Sequence, residues 1–300
     1  MNAVRVAVVD VGSNTVRLLV GERDGTRVRR VEEQRVRVAL GADIERTGEL
    51  SAKRLMRAAE AAAREVGRAR KLGASEVTVL VTSPGRQARN GPELRDEIAS
   101  RSGATVRLLS AEGEGRLGYA GAIAAAGNPR GSVAVCDAGG GSTQLAVGTG
   151  RTPSWVRSVD IGSLRLTRRL LAGDPPSLQE LKAARAEAAS SFEGLVPPLP
   201  RRAFATGGTA RALGRIVGRR LDAETLALAF SIVSSSPAKR IATRFEIQQW
   251  RATVLPAGAL ILAQAQKLLS VPLEVARGGI REGAALELLE RAELAEALPA

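Results

Sequence analysis

Residues 6–21, VAVVDVGSNTVRLLVG, and residues 133–148, VAVCDAGGGSTQLAVG, align without a gap at an offset of 127 positions. Asp10 falls on Asp137, Gly12 on Gly139, Thr15 on Ser142, Arg17 on Gln144 and Gly21 on Gly148. Each copy opens with a short run of small and β-branched apolar residues, which reads as a buried strand. An Asp ends the run, a Gly/Ser/Asn turn follows, and a second apolar stretch closes on Gly. This is the pattern of a β-hairpin with a wide polar turn. Glycines in the turn let successive backbone N–H groups converge on an anion. The Asp stands where it can hold a cation or a water beside that anion. A chain that repeats this hairpin is expected to build two similar lobes facing a cleft. A phosphate chain between them would meet two backbone cradles and two carboxylates.

The 300 residues suffice for two domains with separate cores. Histidine is absent. That excludes Ser-His-Asp and Cys-His nucleophile systems, His-ligated zinc and His acid/base chemistry. Proton transfer must fall to Asp, Glu, Lys or Tyr, and any metal must sit on oxygen ligands, which favours Mg²⁺ or another hard divalent cation. Cys136 is the only cysteine, so no intramolecular disulfide forms, and a reducing cytoplasm is the expected compartment. The opening MNAVRVAVVDVGSN lacks the pattern of a signal peptide, and no run of about 18 apolar residues marks a membrane span. The formal charge of +13 attracts polyanions. It is spread evenly, with +6 over residues 1–122 and +7 over 123–300. Aromatic residues make up only 2%, so base stacking is a poor basis for recognition and specific nucleic-acid binding is not expected.

Along the chain, strands alternate with helices, the α/β pattern. The first hairpin is followed by a strand over 27–39 and a helix over 51–70, capped by Ser51 and ended by Gly73. A strand over 76–82 leads through a loop, SPGRQARNG, to a helix over 92–102. Ser110 caps a helix that runs to about 126, and GNPRG at 127–131 punctuates the lobes. The second lobe continues with a strand near 154–160, a strand running into a Gly turn over 203–208, and helices near 163–172, 177–194, 209–220, 222–235 and 246–269. A strand in VPLEVAR and a final helix close the chain. The domain reading is therefore 1–125 and 126–300, with a final helix able to pack back on the first lobe.

The segments DVGSNTVRLLV, TSPGRQARNG, LLSAEGEGRLGYAG, DAGGGSTQLAVG, SVDIGSLRLTRRLL, ATGGTARAL, LPAGALIL and GGIREG occur in one order across nearly the whole chain. In this set the chain resembles the exopolyphosphatase and guanosine pentaphosphate phosphohydrolase (Ppx/GppA) family, in a short form without a C-terminal helical extension. The resemblance implies two actin-like (ribonuclease H-like) α/β lobes with mixed sheets flanked by helices and the active site in the cleft between them. It also implies Mg²⁺-dependent release of the terminal phosphate of inorganic polyphosphate, or of the 5′-γ phosphate of guanosine pentaphosphate, and it admits a homodimer.

Carried over residue by residue, Glu114 matches the family's catalytic Glu. Water is a weak nucleophile toward phosphorus, and a carboxylate that orients it and takes its proton meets that need. Asp137 with Gly139, Gly140, Gly141 and Ser142 matches the phosphate and metal element. Asp10 with Gly12, Ser13 and Asn14 is its pair on the other lobe, so Asp10 and Asp137 are the expected metal ligands. Arg86 matches an Arg after the family's Thr-Ser pair and suits bidentate phosphate binding. Gly207, Gly208 and Thr209 sit at a strand-to-helix turn, where helix N–H groups bind anions. Arg89, Asn90, Arg281 and Glu282 are read as structural, the last two as a join between lobes.

Four positions depart from the family, Ala111 and Gly113 replacing a Gly and an acidic residue near Glu114. Gln144 stands where a Glu is usual, and an amide binds a cation less strongly than a carboxylate. Thr253 replaces an Asp. These changes keep a second reading open, a weakly active or inactive sensor that binds polyphosphate or nucleotide. A third, an ATP-dependent kinase of the same superfold, needs an adenosine pocket, for which the ATGGTARAL turn is the one candidate.

Overall fold

The structure, a computed structural model, describes residues 4–297. By its contacts the chain divides into two compact units, one running to Asn128 and resuming at Gly278, the other Pro129–Arg277.

The first unit contains β1 (Arg5–Val11), β2 (Thr15–Asp24), β3 (Arg27–Arg37), α1 (Gly41–Thr47), α2 (Ala52–Lys71), β4 (Glu76–Val81), α3 (Ser83–Gln87), α4 (Gly91–Ser102), β5 (Thr105–Leu108) and α5 (Ala111–Ala125). Its sheet has the order β3-β2-β1-β4-β5. The first three strands form an antiparallel meander, and β4 and β5 run parallel to β1. The unbroken apolar run of β1 is explained by burial on both faces. Ala7, Val9 and Val11 point into a core shared with Ala58, Ala62 and Val66 of α2. Val6 and Val8 point the other way, into a core with Leu117, Ala285 and Leu289.

The second unit repeats the plan. It contains β6 (Ser132–Ala138), β7 (Thr143–Thr149), β8 (Thr152–Val159), α6 (Ser163–Leu170), α7 (Leu178–Ser190), β9 (Arg202–Thr206), α8 (Gly207–Val217), β10 (Arg220–Leu221), α9 (Ala223–Ser234), α10 (Ala238–Arg244), α11 (Gln249–Ala252), α12 (Leu255–Leu269) and β11 (Leu273–Val275). Its sheet order is β10-β11-β9-β6-β7-β8. Read from the other edge, β8-β7-β6-β9-β11 matches β3-β2-β1-β4-β5 strand for strand, with the same directions. Even the bulges correspond: the register shifts between Val20 and Gly21 in one meander and between Val147 and Gly148 in the other. These are the actin-like lobes expected from the sequence.

The last helix, α13 (Ile280–Ala297), belongs by its contacts to the first unit. It lies against α5 at backbone distance. A Cβ on Gly121 would fall 2.0 Å from the Gly279 carbonyl oxygen, and one on Gly283 would fall 2.1 Å from that of Leu117. Only glycine permits such an approach. Arg281 Nη1 donates to the Leu18 carbonyl (2.9 Å) and its Nη2 to Glu33. Glu282 accepts from Arg30 Nη2 (2.7 Å) and from Gly279 N (3.0 Å). Arg281 and Glu282 are therefore structural, but they tie α13 to β2 and β3 within one unit.

Three local expectations are corrected. The segment after β4 is not all loop, since α3 forms with Pro84 in its first turn, where a missing N–H costs nothing. The long helix expected over 246–269 is two, α11 and α12, parted at Thr253–Val254. Pro256 again occupies a first turn, and its ring excludes an uninterrupted helix through it. Ser51 does precede α2, but its hydroxyl and N–H both donate to Asp43 Oδ2 (2.5 and 3.0 Å) and do not cap the helix. Burial pushes the Asp43 carboxyl up, but the Ser51 donors, with Arg54 and Arg46, outweigh it and hold it below the ordinary range.

Candidate functional site

In the first unit, Asp10 stands near the end of β1 between the buried Val9 and Val11, with Arg17 opposite it on β2. The turn closes with Gly12 N donating to the Thr15 carbonyl (3.0 Å). The turn's carbonyls face the segment after β3: Asn14 O accepts from Val38 N (2.9 Å) and Ala39 N (3.0 Å), and Ser13 O from Gly41 N (2.7 Å). In a trans peptide the C=O and the following N–H point to opposite sides. Committing the Ser13 carbonyl to residue 41 therefore turns the Asn14 N–H the other way. The Ser13 and Ser83 hydroxyls lie 2.7 Å apart, both buried, so the N-terminus of α3 is joined to the turn.

Three residues into α3, Arg86 reaches the start of α5. Its Nη2 donates to Glu114 Oε2 (2.7 Å) and its Nη1 to the Leu109 carbonyl (2.8 Å). Glu114, 7% exposed, occupies the first turn of α5, whose N-cap Ser110 accepts from Gly113 N (3.0 Å). The helix dipole favours a carboxylate there. The structure thus brings together two residues to which the sequence assigns separate roles: Arg86 holds the orientation of Glu114. Arg89 and Asn90 serve the scaffold. Arg89 donates to Glu49 (2.8 Å), and the Asn90 amide bonds both the N–H and the carbonyl of Leu50 (2.9 Å each).

In the second unit the same turn recurs. Asp137 faces Gln144 across the ladder, and Gly139 N donates to the Ser142 carbonyl (3.0 Å), the counterpart of the Gly12–Thr15 bond. Here α6 holds the loop. Ser163 N donates to Gly139 O (2.9 Å), and Leu164 N and Arg165 N both donate to Gly140 O (3.0 Å). The contact is so close that a Cβ on Gly162 would fall 2.4 Å from the Gly140 carbonyl carbon. With those carbonyls committed to α6, the N–H groups of Gly140 and Gly141 point away from it, as an anion cradle requires. Gln144 is 2% exposed and lies between the hydroxyls of Ser142 and Ser158.

Asp137 also meets the strand-to-helix turn of β9 and α8. Gly207 has φ +84°, and a Cβ there would lie 2.7 Å from Asp137 Oδ1. A Cβ on Gly208 would lie 2.6 Å from the guanidinium of Arg251, which stacks 4.4 Å from the Trp250 ring centroid. Thr209 is different. Its side chain is buried against Gly258 and Ser163, so it serves packing and leaves the N–H groups of the turn as the candidate contact. Thr253 is exposed and bonds the Gln249 carbonyl of its own helix (3.1 Å). Sequence reasoning missed Ser83, Ser158, Ser163 and Arg251. Of these only the Trp250-Arg251 pair, just ahead of LPAGALIL, carried a readable signal.

Among the described residues no group of three or more Asp, Glu, Cys or His side chains gathers to hold a metal. The carboxylates of Asp10 and Asp137, each near the end of a strand, are the oxygen donors that could touch Mg²⁺ carried by phosphate oxygens. Also among the described residues, no helix is long and apolar enough to cross a membrane.

Comparison with known proteins identifies relatives of the whole chain. Residues 19–292 match the Ppx/GppA phosphatase family. An uncharacterized protein of Streptomyces coelicolor, SCO0757, is 33% identical over 313 aligned positions, covering 95% of this chain and 90% of that one. Exopolyphosphatase 1 of Mycobacterium tuberculosis is 28% identical, covering 95% and 88%. The crystal structure of the Aquifex aeolicus Ppx/GppA family member superimposes with a TM-score of 0.82 at 25% identity, covering 99% of each chain.

Proposed function

Because the chain belongs to the Ppx/GppA phosphatase family, we propose that it is a phosphoanhydride hydrolase that releases the terminal phosphate of inorganic polyphosphate. The observation that carries this reading is Glu114, fixed by Arg86 at the start of α5 in the same unit as the first glycine turn. Glu114 orients a water and takes its proton as the water oxygen attacks the terminal phosphorus. The bridging P–O bond breaks, orthophosphate leaves, and the shortened chain carries away the bridging oxygen. Charge spread over the phosphoryl oxygens would be met in that unit by the backbone N–H of Asn14, and the second unit offers donors of the same kind at Gly140 and at the turn of Gly207 and Gly208. Mg²⁺ arriving with the substrate would be touched by Asp10 or Asp137 and would neutralise part of that charge.

The 5′-γ phosphate of guanosine pentaphosphate presents the same bond, and the family includes that activity. The evenly spread positive charge favours the longer polyanion. The single thiol and the phosphate substrate both suit the cytoplasm. One observation favours a second reading, a polyphosphate-binding sensor: the residue facing Asp137 across the second hairpin is the neutral Gln144.

Phosphate release from polyphosphate of defined length, with and without Mg²⁺, tests the proposal. Wild type should release phosphate in Mg²⁺, and Glu114→Ala should lower kcat by about 10²–10⁴, the usual contribution of a general base. Tight binding without release by wild type would establish the sensor instead.

A further inference from the structure

The hydrogen bonds around Gln144 reach beyond its place in the strand. Gln144 Nε2 donates to Ser142 Oγ (2.9 Å) and to Ser158 Oγ (3.0 Å), while its buried Oε1 has no hydrogen-bond partner. Ser158 is its ladder neighbour on β8, and Ser142 closes the glycine loop. A buried carbonyl oxygen left unsatisfied is costly, so this orientation is held by what the amide nitrogen does for the two hydroxyls. A serine hydroxyl has one proton and two lone pairs. A hydroxyl that accepts from Nε2 keeps its own proton for another acceptor. In the duplicate hairpin the equivalent place is taken by Arg17, whose guanidinium is donor-only, like the amide nitrogen that Gln144 turns to the two hydroxyls.

On the reading that this loop holds phosphate, we infer that Gln144 is a positioning residue that sets the polarity of the cradle. Its amide donates to Ser142 Oγ, which directs the Ser142 proton to a phosphoryl oxygen. The loop then holds the anion with hydroxyl and backbone donors and does not need a cation as bridge. A carboxylate at 144 is acceptor-only. It would take the Ser142 proton and turn the Oγ lone pairs outward, where they suit a cation and repel a phosphate.

Titration of sodium tripolyphosphate into the full chain by calorimetry, in EDTA and in excess Mg²⁺, tests this without turnover. Wild type should bind in EDTA within about threefold of its affinity in Mg²⁺. Gln144→Glu should lose about tenfold in EDTA and regain it in Mg²⁺, the size of one hydrogen bond to a charged group. Ser142→Ala should cost wild type about tenfold in EDTA and cost Gln144→Glu far less. That coupling separates hydroxyl polarity from general charge repulsion, which would leave the Ser142→Ala effect equal in both backgrounds. If the buried Glu prevents folding, Gln144→Met decides, since it should lose affinity in EDTA and regain none in Mg²⁺. Equal Ser142→Ala effects, full affinity of Gln144→Met, or wild-type binding only in Mg²⁺ would overturn the inference. Coupling without phosphate release from polyphosphate would remove the hydrolase reading and leave this one standing. Release without coupling would remove this one alone.

Discussion

The two hairpins share one framework and differ in what surrounds it. Both close with the same bond, Gly12 to Thr15 and Gly139 to Ser142, and both turns are held through their carbonyls by the segment that follows the third strand. In the first unit that segment is residues 38–41 leading into the short α1; in the second it is the N-terminus of α6. Strand four then leads to different helices. The five-residue α3 delivers Arg86 to Glu114, whereas the eleven-residue α8 presents a glycine N-terminus to Asp137. A duplicated scaffold has thus been given unequal chemistry: a candidate base in one unit and the more glycine-rich cradle in the other.

The largest effect expected from this asymmetry is catalytic. Glu112 and Glu114 share the first turn of α5, but Glu112 is exposed and paired with Arg116 (2.6 Å), while Glu114 is buried against Arg86. Glu114→Gln should lower phosphate release by about two to four orders of magnitude. Glu112→Gln should change stability by less than about 0.5 kcal/mol and leave release near wild type. Equal losses would mean that the helix start matters only for its charge.

Next in size is the response of the two turns to a methyl group. A Cβ on Gly139 would meet the Ser142 carbonyl at 2.9 Å, whereas one on Gly12 finds its nearest atom at 3.7 Å. Gly139→Ala should therefore cost about 1–3 kcal/mol, read as a lower Tm. Gly12→Ala should be neutral or stabilise by up to about 1 kcal/mol, since the unfolded chain loses freedom. A raised KM for polyphosphate in Gly12→Ala at unchanged Tm would show that the space above Gly12 belongs to substrate. Equal Tm losses would break the comparison.

The smallest effect concerns acid and salt. Glu33 in the first unit is a half-exposed carboxylate; burial opposes its charge, but Arg281 above all, with Arg17 and Arg30, brings its pKa down to about 2. Glu180 in the second unit is partly exposed and also lies at about 2, lowered by the backbone N–H groups of Ser177 and Gly173 and by the Ser177 side chain. A depressed carboxylate contributes stability that is present above its ordinary pKa of 4.5 and is lost as pH falls toward 2. Arg281→Leu should therefore flatten the stability curve between those values. Salt should raise the Glu33 pKa, because its partners are charges, and move Glu180 little, because its partners are dipoles. NMR titration of both carboxylates at low and high ionic strength checks the difference, and equal shifts would refute it.

Much of this architecture is legible in the order of the residues. The gapless repeat locates both hairpins, because apolar runs and Asp-Gly turns are written locally. The Ser110 cap places Glu114 at a helix start, because capping needs only three consecutive residues beyond the serine. The break between α11 and α12 is hidden by the continuous apolar pattern of LPAGALIL, and α3 is hidden by a loop-like composition.

The duplication, the α/β class and the residue types of each turn follow from local pattern, since each depends on neighbours within one strand or one helical turn. Long-range packing sets the rest: α13 joins the first unit, Arg86 lies on Glu114, Arg251 covers Gly208 and Gln144 bridges Ser142 and Ser158. These contacts link residues 14 or more positions apart, apart from the short Gln144–Ser142 link. The docking of α13 on α5 rests on backbone approach at Gly121 and Gly283, where the informative feature is a missing side chain that leaves no mark on the hydrophobic pattern.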